Sequence, residues 1–303
     1  MLIFLQQLIN GFTTGTLFAL IAIGYTMVYG IIELINFAHG DLFMLGAFLA
    51  LTLVTKMGLD TAGPGGAAAG LVLTFATSMA FCAGLNFLQD RVVYRPLRNA
   101  PKLTPLVSAI GVSFVFMGIG QIWKGVADIN FPDVLPNKNL LGDSALRFTA
   151  KDLLVILVTL PLMAALTVFV RFTKLGKAMR ATAQNPIASR LMGIDVDRVI
   201  GWTFAIGGLL AGAASVIYGL TINTVSFTMG YQNGLYAFTA AVLGGIGNLP
   251  GAMLGGIVIG LVRSLGSQYV GEQWTSALVF AILILLLVFR PSGLLGARTR
   301  EKV

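Results

Sequence analysis

Residues 30–46 read GIIELINFAHGDLFMLG and bring three ionisable side chains into an otherwise apolar stretch. Apart from tyrosines, the ionisable side chains between residues 17 and 54 are Glu33, His39 and Asp41, and His39 is the single histidine of the protein. A charge at the centre of a bilayer costs about 2.5–3.5 kcal/mol on insertion scales, so such groups face a protein interior or a wet cavity. The stretch therefore predicts either a buried site within the membrane or a polar turn at its surface.

The composition decides the class of protein. Of 303 residues, 56% are hydrophobic and 11% are charged, whereas about 25% charged is typical of soluble domains. The mean hydropathy is +0.87, and apolar runs long enough to cross a hydrocarbon core of about 30 Å recur. The alternation of apolar and polar residues that membrane barrels require does not appear. We predict an all-α polytopic membrane protein with about eight hydrophobic segments, some of them broken or re-entrant.

Small residues predict where helices come close together. Gly11 and Gly15 are four residues apart in the first span, and Gly256 and Gly260 repeat this spacing late in the chain. In lipid, such spacing lets helix backbones approach each other closely.

Two segments are predicted to be interrupted. The apolar segment 42–55, after the polar stretch, has a length that suits a half-helix or a full span, and Asn248 and Pro250 interrupt residues 238–262. Paired broken segments indicate a translocation site in transporters. We therefore predict that a pathway is lined by residues of both breaks: Asn36, His39, Asp41, Gly244, Gly245, Gly247 and Asn248.

Alternatives remain for both groups of residues. Asn36, His39 and Asp41 could instead cap a helix at the membrane edge, with Asp41 as the cap, or could form a surface turn. The glycines of residues 244–251 are compatible with tight helix packing as well as with a bend in a pathway.

The net charge of +8 arises mainly in loops beside apolar spans, which is typical of the cytoplasmic side of membrane proteins and not of nucleic-acid binding. One basic loop, residues 89–105, carries Arg91, Arg95, Arg98 and Lys102. A second, residues 171–198, carries Arg171, Lys174, Lys177, Arg180, Arg190 and Arg198. The tail residues Arg298, Arg300 and Lys302 are predicted on the same side. Residues 124–152 have balanced charges, so we expect an exterior loop there.

The second basic loop is predicted to contain two short helices. One begins just before Leu175. The other has Asn185 as its N-cap, Pro186 at its first position and Gly193 at its end, which are the positions that these residue types favour.

Known catalytic and metal-binding motifs are missing from the sequence. There is no glycine-rich phosphate loop ending in Lys-Ser or Lys-Thr, so the chain cannot hydrolyse ATP by that mechanism. With one histidine and one cysteine, Cys82, the usual metal clusters are not expected. We predict no catalytic, cofactor-binding or metal-binding residues.

Five stretches, in order along nearly the whole chain, carry a family resemblance. They are residues 15–48, containing INFAHGD; RPLRNAPKLTPLVSAIG at 95–111; residues 172–200; AFTAAVLGGIGNLPGAMLGG at 237–256; and RPSGLLG at 290–296. Together they resemble the permease subunits of branched-chain amino-acid ABC importers, the Liv-type family, and above all the smaller of its two permeases. Urea and short-chain amide permeases share much of the pattern.

The resemblance implies a single transmembrane permease domain over residues 1–303 in a bacterial plasma (inner) membrane, surrounded by lipid. It implies a second related permease, either another chain or a second copy, two cytoplasmic ATPases and an extracytoplasmic amino-acid-binding protein. ATP would be used by the ATPases. The loop 171–198 would couple the permease to them, with its shape set by Gly176, Arg180, Asn185, Pro186 and Gly193. An ion-coupled secondary transporter and a membrane scaffold are the remaining alternatives.

Overall fold

The chain folds as a bundle of α-helices in a computed structural model that describes residues 1–98, 100–101, 103–142, 145–290 and 292–296. Within these residues there are eleven α-helices, and eight of them are long and apolar enough to cross a membrane. The helices are α1 (Leu2–Ile32), α2 (Ala38–Met57), α3 (Pro64–Gln89), α4 (Leu103–Lys124), α5 (Ala150–Phe172), α6 (Lys174–Gln184), α7 (Pro186–Leu191), α8 (Val196–Ile222), α9 (Met229–Gly244), α10 (Leu249–Tyr269) and α11 (Glu272–Phe289). The predicted all-α polytopic fold is confirmed.

Three helices form the centre of the bundle. In their most apolar 18-residue windows, α1 and α2 are each 78% buried and α8 is 67% buried, whereas α5 is 22% and α11 is 11% buried. Apolar helices that remain exposed on the outside of a bundle are suited to lipid, because lipid tails are as apolar as their side chains. Asn36, His39 and Asp41 therefore belong to the most enclosed part of the fold, whereas Glu33, the residue that follows α1, is exposed.

α1 and α10 are in very close contact through the predicted glycine pairs. A Cβ atom on Gly15 would lie 2.7 Å from the Cα of Ile257, and one on Gly11 would lie 2.9 Å from the Cα of Leu261. Gly256 and Gly260 face the backbone of α1 at Ala19 and Gly15 in the same way. The prediction that these glycines permit close helix contact is confirmed.

α2 has the length of a full span. It has 20 residues and begins at Ala38, four residues before the predicted apolar segment, so it includes His39 and Asp41 in its first turns. Of the two lengths that the sequence allowed, the structure has the full span.

The two basic loops meet at one end of the bundle, here called the basic end. Arg98 bridges Asp90, at 2.6 Å, and Asp197, which belongs to the second basic loop. Asp90 begins a π-helical turn, Asp90–Tyr94, that continues α3. The two loops, which the sequence predicts on one side of the membrane, thus lie at the same end of the bundle, while Lys102 and the tail residues Arg298, Arg300 and Lys302 lie outside the described residues.

The opposite end, here called the loop end, contains the N-terminus and the segment 124–152. The side chain of Gln6 accepts from the Arg147 N–H at 2.7 Å and donates to the Arg147 carbonyl at 2.9 Å. Strand β1 (Ile129–Asn130) pairs antiparallel with β2 (Thr224–Val225), which follows α8. The first helix therefore runs from the loop end to the basic end.

An ion pair at the loop end should make this strand pairing sensitive to acid. Hydrogen bonds from Lys151 Nζ and Asn223 Nδ2, each 2.5 Å long, hold the pKa of the Asp133 carboxyl below its ordinary value. A lowered pKa stabilises the folded state above the ordinary value of about 3.9, and this contribution is lost as the pH falls below it.

We expect hydrogen exchange at the Phe131 N–H, which donates to the Asn223 carbonyl at 2.8 Å, to lose protection below about pH 4 after correction for the intrinsic rate. Asp133→Asn should lower protection at neutral pH and flatten the profile. Asp128→Asn, at an exposed carboxyl of the same segment, serves as the control. An unchanged acid profile in Asp133→Asn would contradict the assignment.

Candidate functional site

Asn36 fixes the place where α2 begins. Its Oδ1 accepts from the Ala38 N–H at 3.1 Å, from Gln89 Nε2 at 2.9 Å and from the Tyr94 hydroxyl at 3.2 Å. Its Nδ2 donates to Asn86 Oδ1 at 3.3 Å. A buried amide requires such partners, so this network ties the first break to α3 and the turn that continues it.

The burial of Asn36, His39 and Asp41 decides between the alternatives for the first break. Asn36, His39 and Asp41 are 2%, 0% and 1% exposed, which excludes a surface turn. The N-cap residue of α2 is Phe37, and Asp41 is the fourth helical residue, so the alternative in which Asp41 is the cap does not hold. The side chain that satisfies a free N–H at this helix start is Asn36.

His39 is enclosed by α1 and α8. Its ring makes an edge contact with Tyr25, with 4.8 Å between the ring centroids. A Cβ on Gly24 would lie 2.8 Å from His39 Cε1, so the absence of a side chain at Gly24 makes room for the imidazole. Among the described residues neither ring nitrogen has a hydrogen-bond partner. The residues around His39 thus pack against its ring, and none of those described forms a hydrogen bond with either ring nitrogen.

Asp41 is held from one side only. The Ser113 hydroxyl of α4 donates to Asp41 Oδ2, while Oδ1 is buried and has no partner within the described part of the chain. The first turn of α9 lies against this free oxygen, since a Cβ on Gly230 would be 2.8 Å from it. Asp41 therefore presents one unsatisfied oxygen at the junction of three helices.

A cavity of about 630 Å³ opens between α4 and α9 next to this carboxylate. Ser113 and Gly230, the two residues that contact the Asp41 carboxylate, are part of its wall. Its volume is in the range of small-molecule sites, which are mostly apolar with a few polar groups. The lining residues are Tyr25, Phe37, Ile110, Ser113, Phe114, Met117, Thr228, Gly230, Tyr231, Gln232, Gly234, Leu235 and Phe238.

The second break separates α9 from α10, as predicted. Gly245 and Gly247 have φ of +103° and +90°, values that glycine adopts far more readily than other residues. Asn248 caps α10, because its Oδ1 accepts from the Gly251 N–H at 3.1 Å, and its Nδ2 donates to the Leu295 carbonyl at 2.6 Å. With 21 residues, α10 is a full span and not a short piece.

The C-terminal segment 292–296 covers the end of α9. The Leu294 and Leu295 N–H groups donate to the carbonyls of Leu243, at 2.8 Å, and Gly244, at 3.1 Å. These carbonyls have no partner within the helix because they lie in its last turn. The predicted residues Gly244 and Gly245 are thus in close packing contact, which is one of the two roles that the sequence allowed.

The structure does not bring the two predicted groups together. His39 and Asp41 contact α1, α4 and α9, whereas Gly247 approaches Gly30 at the last turn of α1, with 3.2 Å from a Cβ on Gly30 to the Gly247 Cα. The two groups are connected through α9, whose first turn lies against Asp41 and whose last residue is Gly244.

The second basic loop has the predicted helices α6 and α7. Asn185 Oδ1 accepts from the N–H groups of Ile187 and Ala188, each at 3.0 Å, and Pro186 is the first residue of α7. Gly193 follows α7 with φ +82°. The predicted N-cap, first position and terminating glycine are therefore confirmed as structural features.

α6 is fitted tightly against the end of α5. A Cβ on Gly176 would lie 2.6 Å from the Phe169 carbonyl oxygen, and Arg180 Nη2 donates to the Arg171 carbonyl at 3.1 Å. Arg180 also lines a cavity of about 80 Å³ together with Gly30 and Gly247. The loop 171–198 and the second break thus border the same cavity.

Sequence reasoning missed Arg263 in the middle of α10. Its guanidinium lies 5.0 Å from the Tyr236 ring centroid and 5.6 Å from that of Phe18, and 3.9 Å from the Glu272 carboxylate. It lines a further cavity of about 150 Å³ with Asn233. A charged residue inside an apolar segment was the available signal. Ser113 gave no comparable signal, because single serines are common in membrane helices.

Within the described ranges, no group of three or more His, Cys, Asp or Glu side chains could hold a metal ion. The site consists instead of a buried carboxylate, a helix start and a largely apolar cavity of small-molecule size. With eight possible spans and two helix breaks, these features define a multi-pass membrane protein with the architecture of a transport permease.

The comparisons with known proteins identify the family. The chain belongs to the family of permease components of branched-chain amino acid transport systems, whose sequence profile matches residues 7–288. It is 41% identical to the high-affinity branched-chain amino acid transport system permease protein BraD of Pseudomonas aeruginosa, over 99% of this chain and 98% of that protein. It is also 41% identical to the corresponding protein LivH of Escherichia coli K12, over 100% of this chain and 98% of that protein. No solved structure matches the chain.

Proposed function

We propose that this chain is the membrane-spanning permease subunit of an ATP-binding-cassette importer for branched-chain amino acids in a bacterial inner membrane. The observation that carries the proposal is the family match, which spans both helix breaks and the loop 171–198. The chain itself would bind no ATP and catalyse no reaction. A second related permease, two cytoplasmic ATPases and an extracytoplasmic binding protein would complete the transporter.

The division of the chain into functional parts belongs to the same proposal. Residues 1–303 would form one permease domain, with residues 124–152 on the exterior and residues 171–198 as the coupling loop. The excess of basic residues at the basic end supports a cytoplasmic position for that end. The contact of Arg180 with the cavity beside Gly30 and Gly247 supports a direct connection from the coupling loop to the second break.

Purification from membranes tests the proposal. The tagged chain, expressed with its neighbouring transport genes, is isolated in mild detergent and assayed for vanadate-sensitive ATP hydrolysis. We expect an ATPase to co-purify and to be stimulated by leucine-loaded binding protein more than by the empty protein. Isolation of the chain alone without ATPase activity would contradict an ABC importer, and stimulation only by a urea-loaded or amide-loaded partner would contradict the substrate.

Changes in the coupling loop should separate ATP hydrolysis from transport. Gly193→Val forces a branched side chain into a φ of +82°, and Arg180→Ala removes the hydrogen bond to Arg171. We expect both variants to insert normally and to lose most leucine uptake, at least ten-fold, with loss of stimulation by the loaded binding protein. Uptake of radiolabelled leucine and ATPase activity are measured on the same proteoliposomes.

The matched control is Gly142→Val at the loop end. Gly142 also has a positive φ, +67°, and neither glycine has other atoms within 4 Å of an added Cβ, so the local backbone cost is similar. Retention of uptake in Gly142→Val together with its loss in Gly193→Val would assign the effect to the basic end. Full uptake in both Gly193→Val and Arg180→Ala would refute the coupling role.

A further inference from the structure

At its inner end, where Ser113 and Gly230 form the wall, the cavity between α4 and α9 lies against the buried Asp41 carboxylate and a free helix N-terminus. We propose that this inner end binds the backbone of a free α-amino acid: Asp41 accepts hydrogen bonds from the α-ammonium group, and first-turn N–H groups of α9 donate to the α-carboxylate. The inference rests on the proposed function, because it takes an amino acid as the transported solute. It adds the residues that recognise that solute inside the membrane.

Asp41 is a buried carboxylate with one unsatisfied oxygen. The residue is 1% exposed, its Oδ2 is bound by Ser113, and its Oδ1 has no hydrogen-bond donor among the described residues. No lysine or arginine of the described chain forms an ion pair with it. A buried carboxylate without a cation is unfavourable, and a solute ammonium would supply both the missing charge and the missing donors.

The start of α9 has N–H groups without acceptors. α9 has 16 residues, and its N-cap residue, Thr228, makes no side-chain cap bond. In the described chain the N–H groups of Gly230 and Tyr231 have no acceptor, and both residues line the cavity. Free N–H groups at a helix N-terminus bind carboxylates, because the partial charges of the helix favour an anion there.

The Asp41 carboxylate and the first turn of α9 lie directly against each other. A Cβ on Gly230 would lie 2.8 Å from Asp41 Oδ1, so the free carboxylate oxygen and the free amides are neighbours. An α-amino acid carries its ammonium and carboxylate on the same carbon atom and would pair each of them with one of these neighbouring groups. Phe114, Met117 and Leu235 in the same wall provide an apolar surface for a branched side chain.

A purely structural role for Asp41 and the α9 N-terminus predicts a different hydrogen-bond pattern. If α9 only neutralised Asp41, its first-turn N–H groups would donate to Oδ1. They do not, since Oδ1 has no donor in the described chain. The Asp41 Oδ1 atom and the first-turn N–H groups of α9 therefore keep hydrogen-bonding capacity that no described residue uses.

Competition by leucine analogues in the assembled transporter tests the inference. Tritiated L-leucine is bound to the complex of permeases and ATPases in nanodiscs, without the binding protein, and displaced by unlabelled leucine, by leucinol, which lacks the carboxylate, or by 4-methylpentanoate, which lacks the ammonium. We expect each analogue to compete at least ten-fold less well than leucine. Equal competition by 4-methylpentanoate and leucine would overturn the role of Asp41, and equal competition by leucinol would overturn the role of α9.

Two substitutions test whether leucine binding depends on the Asp41 carboxylate. Asp41→Asn should weaken leucine binding at least ten-fold and remove the difference between leucine and 4-methylpentanoate. Asp60→Asn, the same change at an exposed carboxyl after α2, should leave both unchanged. Melting temperatures verify folding. If Asp41→Asn does not fold, the analogue series with the wild-type complex decides the question alone.

The outcomes for the two proposals differ. A complex that takes up no branched-chain amino acid when supplied with its binding protein would refute the proposed function. A complex that takes up leucine but shows no saturable leucine binding, or whose Asp41→Asn variant binds leucine normally, would refute the inner subsite and leave the importer intact.

Discussion

Gly256→Val should prevent the accumulation of folded protein. The added Cβ would overlap Ala19, lying 2.5 Å from its Cβ and closer still to its backbone. Overpacking typically costs about 1–3 kcal/mol, and we expect more than about 3 kcal/mol here because helix backbone cannot turn aside as a side chain can. The measurement is the yield of monodisperse protein by fluorescence-detected size-exclusion chromatography, with the melting temperature of whatever remains.

Gly84→Val in α3 is the matched control, since an added Cβ there meets no atom within 4 Å. Its yield and melting temperature should stay near those of the wild type. A normal melting temperature for Gly256→Val would mean that α1 and α10 can separate at little cost, which would contradict the close contact between them.

Arg98→Met should strongly destabilise the basic end. Arg98 binds Asp90, whose side chain is 1% exposed, and also Asp197 near the start of α8. Removing one partner of a buried ion pair costs about 3–5 kcal/mol, because the other charge is left without compensation. The free energy of unfolding is measured by titration with a denaturing detergent, and ATPase stimulation is expected to fall as well.

A double variant distinguishes the effect of an unpaired Asp90 charge from the loss of the Arg98 side chain itself. Asp90→Asn combined with Arg98→Met should recover most of the loss, because no buried charge then remains unpaired. Arg91→Met, at a nearby arginine whose guanidinium lies 5.2 Å from the Phe87 ring centroid, should cost less than about 1 kcal/mol. Equal losses for Arg91→Met and Arg98→Met would indicate a general effect of basic charge instead of the bridge.

Local sequence patterns predicted much of the fold. The hydrophobic runs predicted the spans, and Asn185, Pro186 and Gly193 predicted α7, because caps and turns depend on residues close in sequence. The start of α2 was not predicted, since its position depends on Asn36 bonding to Asn86 and Gln89, about fifty residues away. No local pattern contains that contact.

The candidate site was predictable only in part. Asp41 stood out in the sequence because a carboxylate in an apolar segment is rare. Its neighbours Ser113 and Gly230 come from α4 and α9, and serine and glycine are ordinary residues of membrane helices. Their importance arises from the packing of three distant segments, which a single sequence does not reveal. Arg263, by contrast, was recognisable from the sequence, because it is a charged residue within an apolar segment.

The central position of α2 has a consequence for how the protein is made. Its contacts include α8 and α9, yet α8 begins about 140 residues after α2 ends, so at about 5–20 residues per second the ribosome needs roughly 10–30 s to supply it. During that interval α2 is already made, while one side of His39 and Asp41 still lacks its neighbours. The nascent chain therefore passes through a stage in which the span that carries His39 and Asp41 is incompletely covered. Protection of that span during biosynthesis falls to α1, α3 and α4, which are made before α8, and to the insertion machinery.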